Sequence, residues 1–123
     1  MHRSRIGVVL IDHPRGGWEE GLAFWAGVQG VKPEGEAPYR SLGQIGSVAL
    51  ESQCIGDGNA ARIHLDIETD DVAAEVARVV GLGATVVEER EGYTVLSDPC
   101  GLLFCVIDIQ TGEHFEKDAK TWE

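Results

Sequence analysis

Three side chains in this sequence have the type and placement to do chemistry: Glu51, His64 and Cys105. An imidazole titrates near neutral pH, so His64 can serve as a general base or a metal ligand. Glu51 can orient that imidazole, and the pair would suit proton abstraction next to a carbonyl. Cys105 is a nucleophile or redox thiol if His64 stands beside it and favours the thiolate. Each also has a purely structural alternative. His64 can be hydrogen-bonded to Asp66, Glu51 or a backbone carbonyl. Glu51 can be a solvated strand carboxylate. Cys105 lies in the apolar run Leu103-Phe104-Cys105-Val106-Ile107, where a free cysteine is simply a small buried hydrophobe.

The elements that must hold these residues follow from periodicity. Ile63 to Asp70 alternates apolar and polar residues, the signature of a strand with one buried face. Ile63, Leu65 and Ile67 are expected to point to that face, and His64, Asp66 and Glu68 away from it. Asp70 or Asp71 caps a helix whose stripe is Val72, Val76 and Val79 or Val80, and Gly81 and Gly83 stop it. Strand-like runs follow at 84–89, 93–97 and 102–109, separated by the turns Glu91-Gly92 and Asp98-Pro99-Cys100-Gly101.

The first half repeats this order. Ile6 to Ile11 reads as a buried strand. Pro14 suits the first turn of a helix. Trp18, Leu22 and Trp25 fall on one stripe of it, to about Val28. Strands are expected at 39–42 and 47–55 with a turn at Gly43 to Gly46 between them, and Gly56-Asp57-Gly58-Asn59 is the best internal boundary. The expectation is one domain over residues 1–123, made of unit one (about 5–57), unit two (about 61–110) and a polar tail (111–123). Phe115 and Trp122 of that tail are placed to dock on the body.

Composition narrows the function. Hydrophobic residues make up 43 % of the chain, which is globular rather than disordered. A net charge of −11 without a Lys/Arg patch argues against nucleic acid and anionic membrane surfaces as partners. Three cysteines without a paired framework fit reduced thiols, and the apolar run after Arg5 is too short for a secretory signal. A cytoplasmic protein is expected.

Two βαβββ units in a chain of this length resemble the vicinal oxygen chelate superfamily, which includes glyoxalase I, extradiol dioxygenases and bleomycin-resistance proteins. The marks are His64-Leu65-Asp66 before Asp70-Asp71, then Leu82-Gly83-Ala84, then Asp98-Pro99-Cys100-Gly101 with Phe104-Cys105-Val106, and Phe24-Trp25 on the first helix. The resemblance covers roughly residues 5 to 110. It implies an α+β fold, with the two units forming a curved, half-open mixed sheet around a cleft and the helices outside. It implies metal-ligand positions at Ile6, Glu51, His64 and Cys105. Ile6 cannot bind a metal, and Cys105 stands where a glutamate is expected, so the implied set departs from the family's. The expected function is therefore a glyoxalase-like protein that binds a small organic ligand in the cleft through Glu51, His64 and Cys105, without a complete metal site. The alternative is a lyase or isomerase using Glu51 and His64, with or without a divalent metal. A homodimer is expected from the resemblance and from sheet edges that need covering.

Overall fold

The alternating run forms strand β4 (Arg62–Thr69), and the capped helix after it forms α2 (Val72–Gly81), in a computed structural model that describes residues 1–123. The other strands are β1 (His2–Pro14), β2 (Tyr39–Ile45), β3 (Val48–Ile55), β5 (Thr85–Arg90), β6 (Tyr93–Ser97), β7 (Leu103–Asp108) and β8 (Lys120–Trp122). The other helices are α1 (Trp18–Gln29), preceded by a single 3₁₀ turn, and α3 (Glu113–Asp118). The strands make one open, mixed sheet in the order β2-β3-β1-β4-β7-β6-β5, with β8 against β1. The fold is α+β, as the resemblance implied. After α1 the first half carries two strands and an isolated bridge between Glu34 and Ser41. Pro33 and Pro38 lie in this segment, and neither can donate to a ladder. No helix is long and apolar enough to cross a membrane.

The chain divides into two compact units. The first, Val9–His64, is built on a core of Ile11, Leu22, Ala26, Leu42 and Leu50, with Val9, Trp18 and Trp25 packed against it. Trp18 and Trp25 are thus packing residues, and Trp18 also donates its indole N–H to Ser52 Oγ at 2.9 Å. The segment Gly43 to Gly46, expected to be a turn, is mostly strand. Gly43 takes a φ of 87°, and the β2–β3 register shifts between Ser41 and Gln44. This is a bulge, and glycine supplies the backbone angle it needs. The Gln29 amide donates to the carbonyls of Leu42 and Gln44 and holds the bulge in place.

The second unit is discontinuous and comprises Met1–Val8 and Leu65–Glu123. Its core is Val79, Leu96 and Val106, with Ile67, Val72, Val76, Ala84 and Phe104 around it. Asp71 caps α2 by accepting the Ala74 N–H at 3.0 Å. The 111–123 segment, read from sequence as a polar tail, contributes α3 and β8. Phe115 is 1 % exposed. The β8 residues Lys120, Thr121 and Trp122 pair antiparallel with Ser4, Arg3 and His2. Trp122 donates to Ser4 Oγ at 2.8 Å, and the Arg78 guanidinium lies 3.9 Å from its ring centroid. These partners lie more than forty residues away in sequence, so local pattern does not announce them.

One expectation holds only in part. On the apolar face of β4, Ile67 packs against the core and Leu65 is half-buried, yet Ile63 is 50 % exposed, while Glu68 on the polar face is 0 % exposed. Glu68 can go inside because the Arg5 charge matches it.

Candidate functional site

Alternation along β4 puts His64, Asp66 and Glu68 on one face. In the parallel β4–β7 ladder, Cys105 is the register partner of Asp66. This ladder gathers three donors of different chemistry: a His64 ring nitrogen, an Asp66 carboxylate oxygen and Cys105 Sγ, all within 4.8 Å of one another. His64 and Asp66 are half-buried and Cys105 is buried. Among the residues singled out from sequence, His64 and Cys105 come together here. Glu51 lies half-buried on β3, opposite Ser41, and is not a member of this group. Asp66 takes the third place. The sequence offered a signal for it: two residues on in a strand is the same face, so His64-x-Asp66 is a two-donor pair before any partner strand is known. That Cys105 would face Asp66 requires the β4–β7 register, which sequence alone does not supply.

Further along the same face the chemistry is closed off. Glu68 Oε1 accepts the backbone N–H groups of Gln110 at 2.8 Å and Thr111 at 3.0 Å. Its Oε2 accepts Arg5 Nε–H at 2.7 Å and the Thr111 hydroxyl at 2.6 Å. Burial alone would push the Glu68 carboxyl up. The Thr111 hydroxyl, Arg5 and the two amides outweigh it and hold the group below the usual glutamate range. A carboxylate with both oxygens occupied has no lone pair to spare for substrate, so Glu68 is structural.

Gly7 completes this wall. A Cβ at position 7 would overlap the Glu68 carboxylate, so only glycine lets the strand pass so close.

The donor set fits a divalent ion. Imidazole, carboxylate and thiolate together suit a borderline-soft metal such as Zn²⁺ better than Mg²⁺ or Ca²⁺, which want oxygen ligands. Three protein donors also match the number found in catalytic zinc sites, where a further position is left for water or ligand.

The glyoxalase-like domain family matches residues 9–107. The chain belongs to that family. No curated protein matches it. Among solved structures, this glyoxalase-like chain is similar to an NAD-dependent benzaldehyde dehydrogenase structure from Legionella pneumophila, at 10 % identity, covering 84 % of this chain and 98 % of that one, with a TM-score of 0.64. A hypothetical protein from Bacillus halodurans matches at 15 % identity, covering 87 % and 95 %, with a TM-score of 0.63. A glyoxalase/bleomycin resistance protein/dioxygenase family enzyme from Burkholderia phytofirmans matches at 16 % identity, covering 82 % and 97 %, with a TM-score of 0.36. At these identities the likeness to the Legionella pneumophila and Bacillus halodurans structures is one of fold.

Proposed function

We propose that this glyoxalase-like protein binds a small organic ligand on the β4–β7 face that carries His64, Asp66 and Cys105. The observation that supports this reading is the approach of three unlike donor atoms to within 4.8 Å on one half-buried face. His64, Asp66 and Cys105 would hold a divalent ion of the zinc class, and such an ion supplies Lewis acidity toward a ligand oxygen. Around it, the chain's own part is to position and to exclude. Cys105 is fixed in a buried strand, and Asp66 is held opposite it by the ladder. The Glu68–Arg5 pair closes the neighbouring stretch of the face. The same reading takes the protein as a cytoplasmic homodimer.

The test is metal titration of stripped, untagged protein with Zn²⁺ and Co²⁺, followed by calorimetry and absorption. Stoichiometric binding is expected, with a thiolate-to-cobalt charge-transfer band that Cys105→Ser removes. His64→Ala or Asp66→Asn should weaken the affinity roughly 10–100-fold or more. Binding that ignores all three substitutions would sink the metal assignment, and a ligand screen on metal-free protein would then test the bare face.

The lyase or isomerase alternative rests on Glu51 and His64, both half-buried on strands. On an identified substrate, Glu51→Gln separates the two readings. Turnover lost with ligand affinity kept supports the enzyme, and turnover untouched removes Glu51 from it.

A further inference from the structure

The opposite face of the same two strands carries a second feature. Ile6, Leu65, Ile67, Leu102 and Phe104 line a depression of about 160 Å³, and Asp98 is its one charged lining residue. Leu65 and Ile67 alternate with Asp66 and Glu68 on β4, and Phe104 alternates with Cys105 on β7, so this depression opens away from the His64 group. It is therefore independent of the function proposed above.

Its walls differ in how they are held. Ile67 and Phe104 also pack against the Val79, Leu96 and Val106 core, which fixes them. Ile6 and Leu102 are 49 % and 46 % exposed, so two walls present apolar surface to water. That surface gains free energy from any apolar group that covers it.

Asp98 is fixed as well. Its Oδ1 accepts the backbone N–H groups of Cys100 at 2.8 Å and Leu102 at 2.9 Å, and its own N–H donates to the Leu102 carbonyl. Both side-chain bonds use Oδ1, which leaves Oδ2 for a donor from outside. The carboxylate is thereby held at the edge of an apolar hollow on a turn that cannot easily swing away.

We propose that this depression is a ligand site for a single aromatic ring bearing an ammonium group on a short arm. Size fits the ring: an apolar space on the order of 150 Å³ accommodates one benzene, and the hollow offers about 160 Å³. Charge selects the arm. The Asp98 carboxylate would accept a charge-assisted hydrogen bond from an ammonium and repel a carboxylate. The net charge of −11 adds long-range attraction of the same sign preference.

The experiment titrates the full chain with phenethylammonium, with neutral 2-phenylethanol and with phenylacetate, following backbone amide shifts by NMR. Saturable shifts are expected at Leu65, Leu102 and Phe104, with affinity falling in that order of ligands. Asp98→Asn keeps an oxygen for the Cys100 and Leu102 amides while removing the charge. It should weaken phenethylammonium about fivefold, the scale of a partly exposed ion pair, and leave 2-phenylethanol unchanged. Leu102→Trp fills the hollow from a half-exposed position and should abolish both. The proposal fails if no ligand saturates, or if phenylacetate binds as well as the amine. It fails equally if Asp98→Asn binds the amine as before while its spectrum stays native. Shifts at Ile6 and Leu102 that follow protein dilution alone would assign the face to a second copy of the chain and overturn it.

Discussion

At the scale of single residues, the Arg5–Glu68 pair governs the β4 face. Arg5 is 8 % exposed and Glu68 is 0 % exposed, so removing either partner leaves a buried charge without its counterpart. Glu68→Ala should lower unfolding stability by about 3–5 kcal/mol, read by urea denaturation. Gly7→Ala should also destabilise, by about 1–3 kcal/mol, because the atom it adds meets a carboxylate that four donors hold in place. A Gly7→Ala variant as stable as the parent would show that Glu68 can move. Alternation was enough to read His64, Asp66 and Glu68 as neighbours on one face. Which of them would be solvated was not legible, because that depends on Arg5, a residue 63 positions away on another strand.

At the scale of elements, local signals were read best where the physics is local. The Asp71 cap, the Val72–Val76–Val79 stripe and the stop of α2 all involve partners within one or two turns, although of the two glycines expected to stop it only Gly83 takes a positive φ, with Gly81 still helical and Leu82 at the cap. Asp71→Ala should cost about 1 kcal/mol, visible as a lower melting temperature. The β2 bulge was misread as a turn, since glycine at positive φ serves both. What decides between them is Gln29, reaching from α1 to two strand carbonyls. Of the segment from Thr111 onward, the docking of Phe115 and Trp122 was legible, but its helix and strand were not. Its order comes from Phe115 burial, β8 pairing and the Arg78–Trp122 stack. Trp122→Ala removes a cation–π contact and a hydrogen bond to Ser4, and should destabilise by about 2 kcal/mol. Trp122→Phe should recover the ring contact alone, giving an intermediate value in the same melt.

At the scale of the whole molecule, two of the three buried carboxylates, Glu68 and Glu75, contribute a response to acid whose sign can be worked out. Glu75 resembles Glu68. Burial raises it, and Arg78, His2 and Ser4 outweigh that and hold it low. Arg78 bonds both its oxygens at 2.8 Å, and His2 Nε2 lies 2.7 Å from Oε1. A carboxyl depressed on folding stabilises the native state fully above its unfolded value, near the ordinary 4.5 for glutamate. That contribution is lost as pH falls through the depressed folded value. Urea midpoints should thus stay level, as far as these two groups are concerned, from neutral pH down to about the unfolded value of 4.5 and fall as the pH drops from there through the depressed folded value. Glu75→Gln should be less stable at neutral pH and show a shallower acid slope. An unchanged slope would mean that Glu75 does not carry the acid response.

The discontinuity of the second unit has a consequence for biosynthesis. Residues 2–8 leave the ribosome early, yet the groups that hold Arg3, Arg5 and His2 are Asp70, Glu68, Glu75 and Glu116. Val9–His64 is synthesised before those partners, so this strand segment waits for them with the side chains of Ile6 and Val8 unshielded. Arg3 and Arg5 flank that segment with charge, the arrangement that keeps a lone strand from finding a wrong neighbour. The same two arginines that lock the finished fold are thus the gatekeepers of the nascent one.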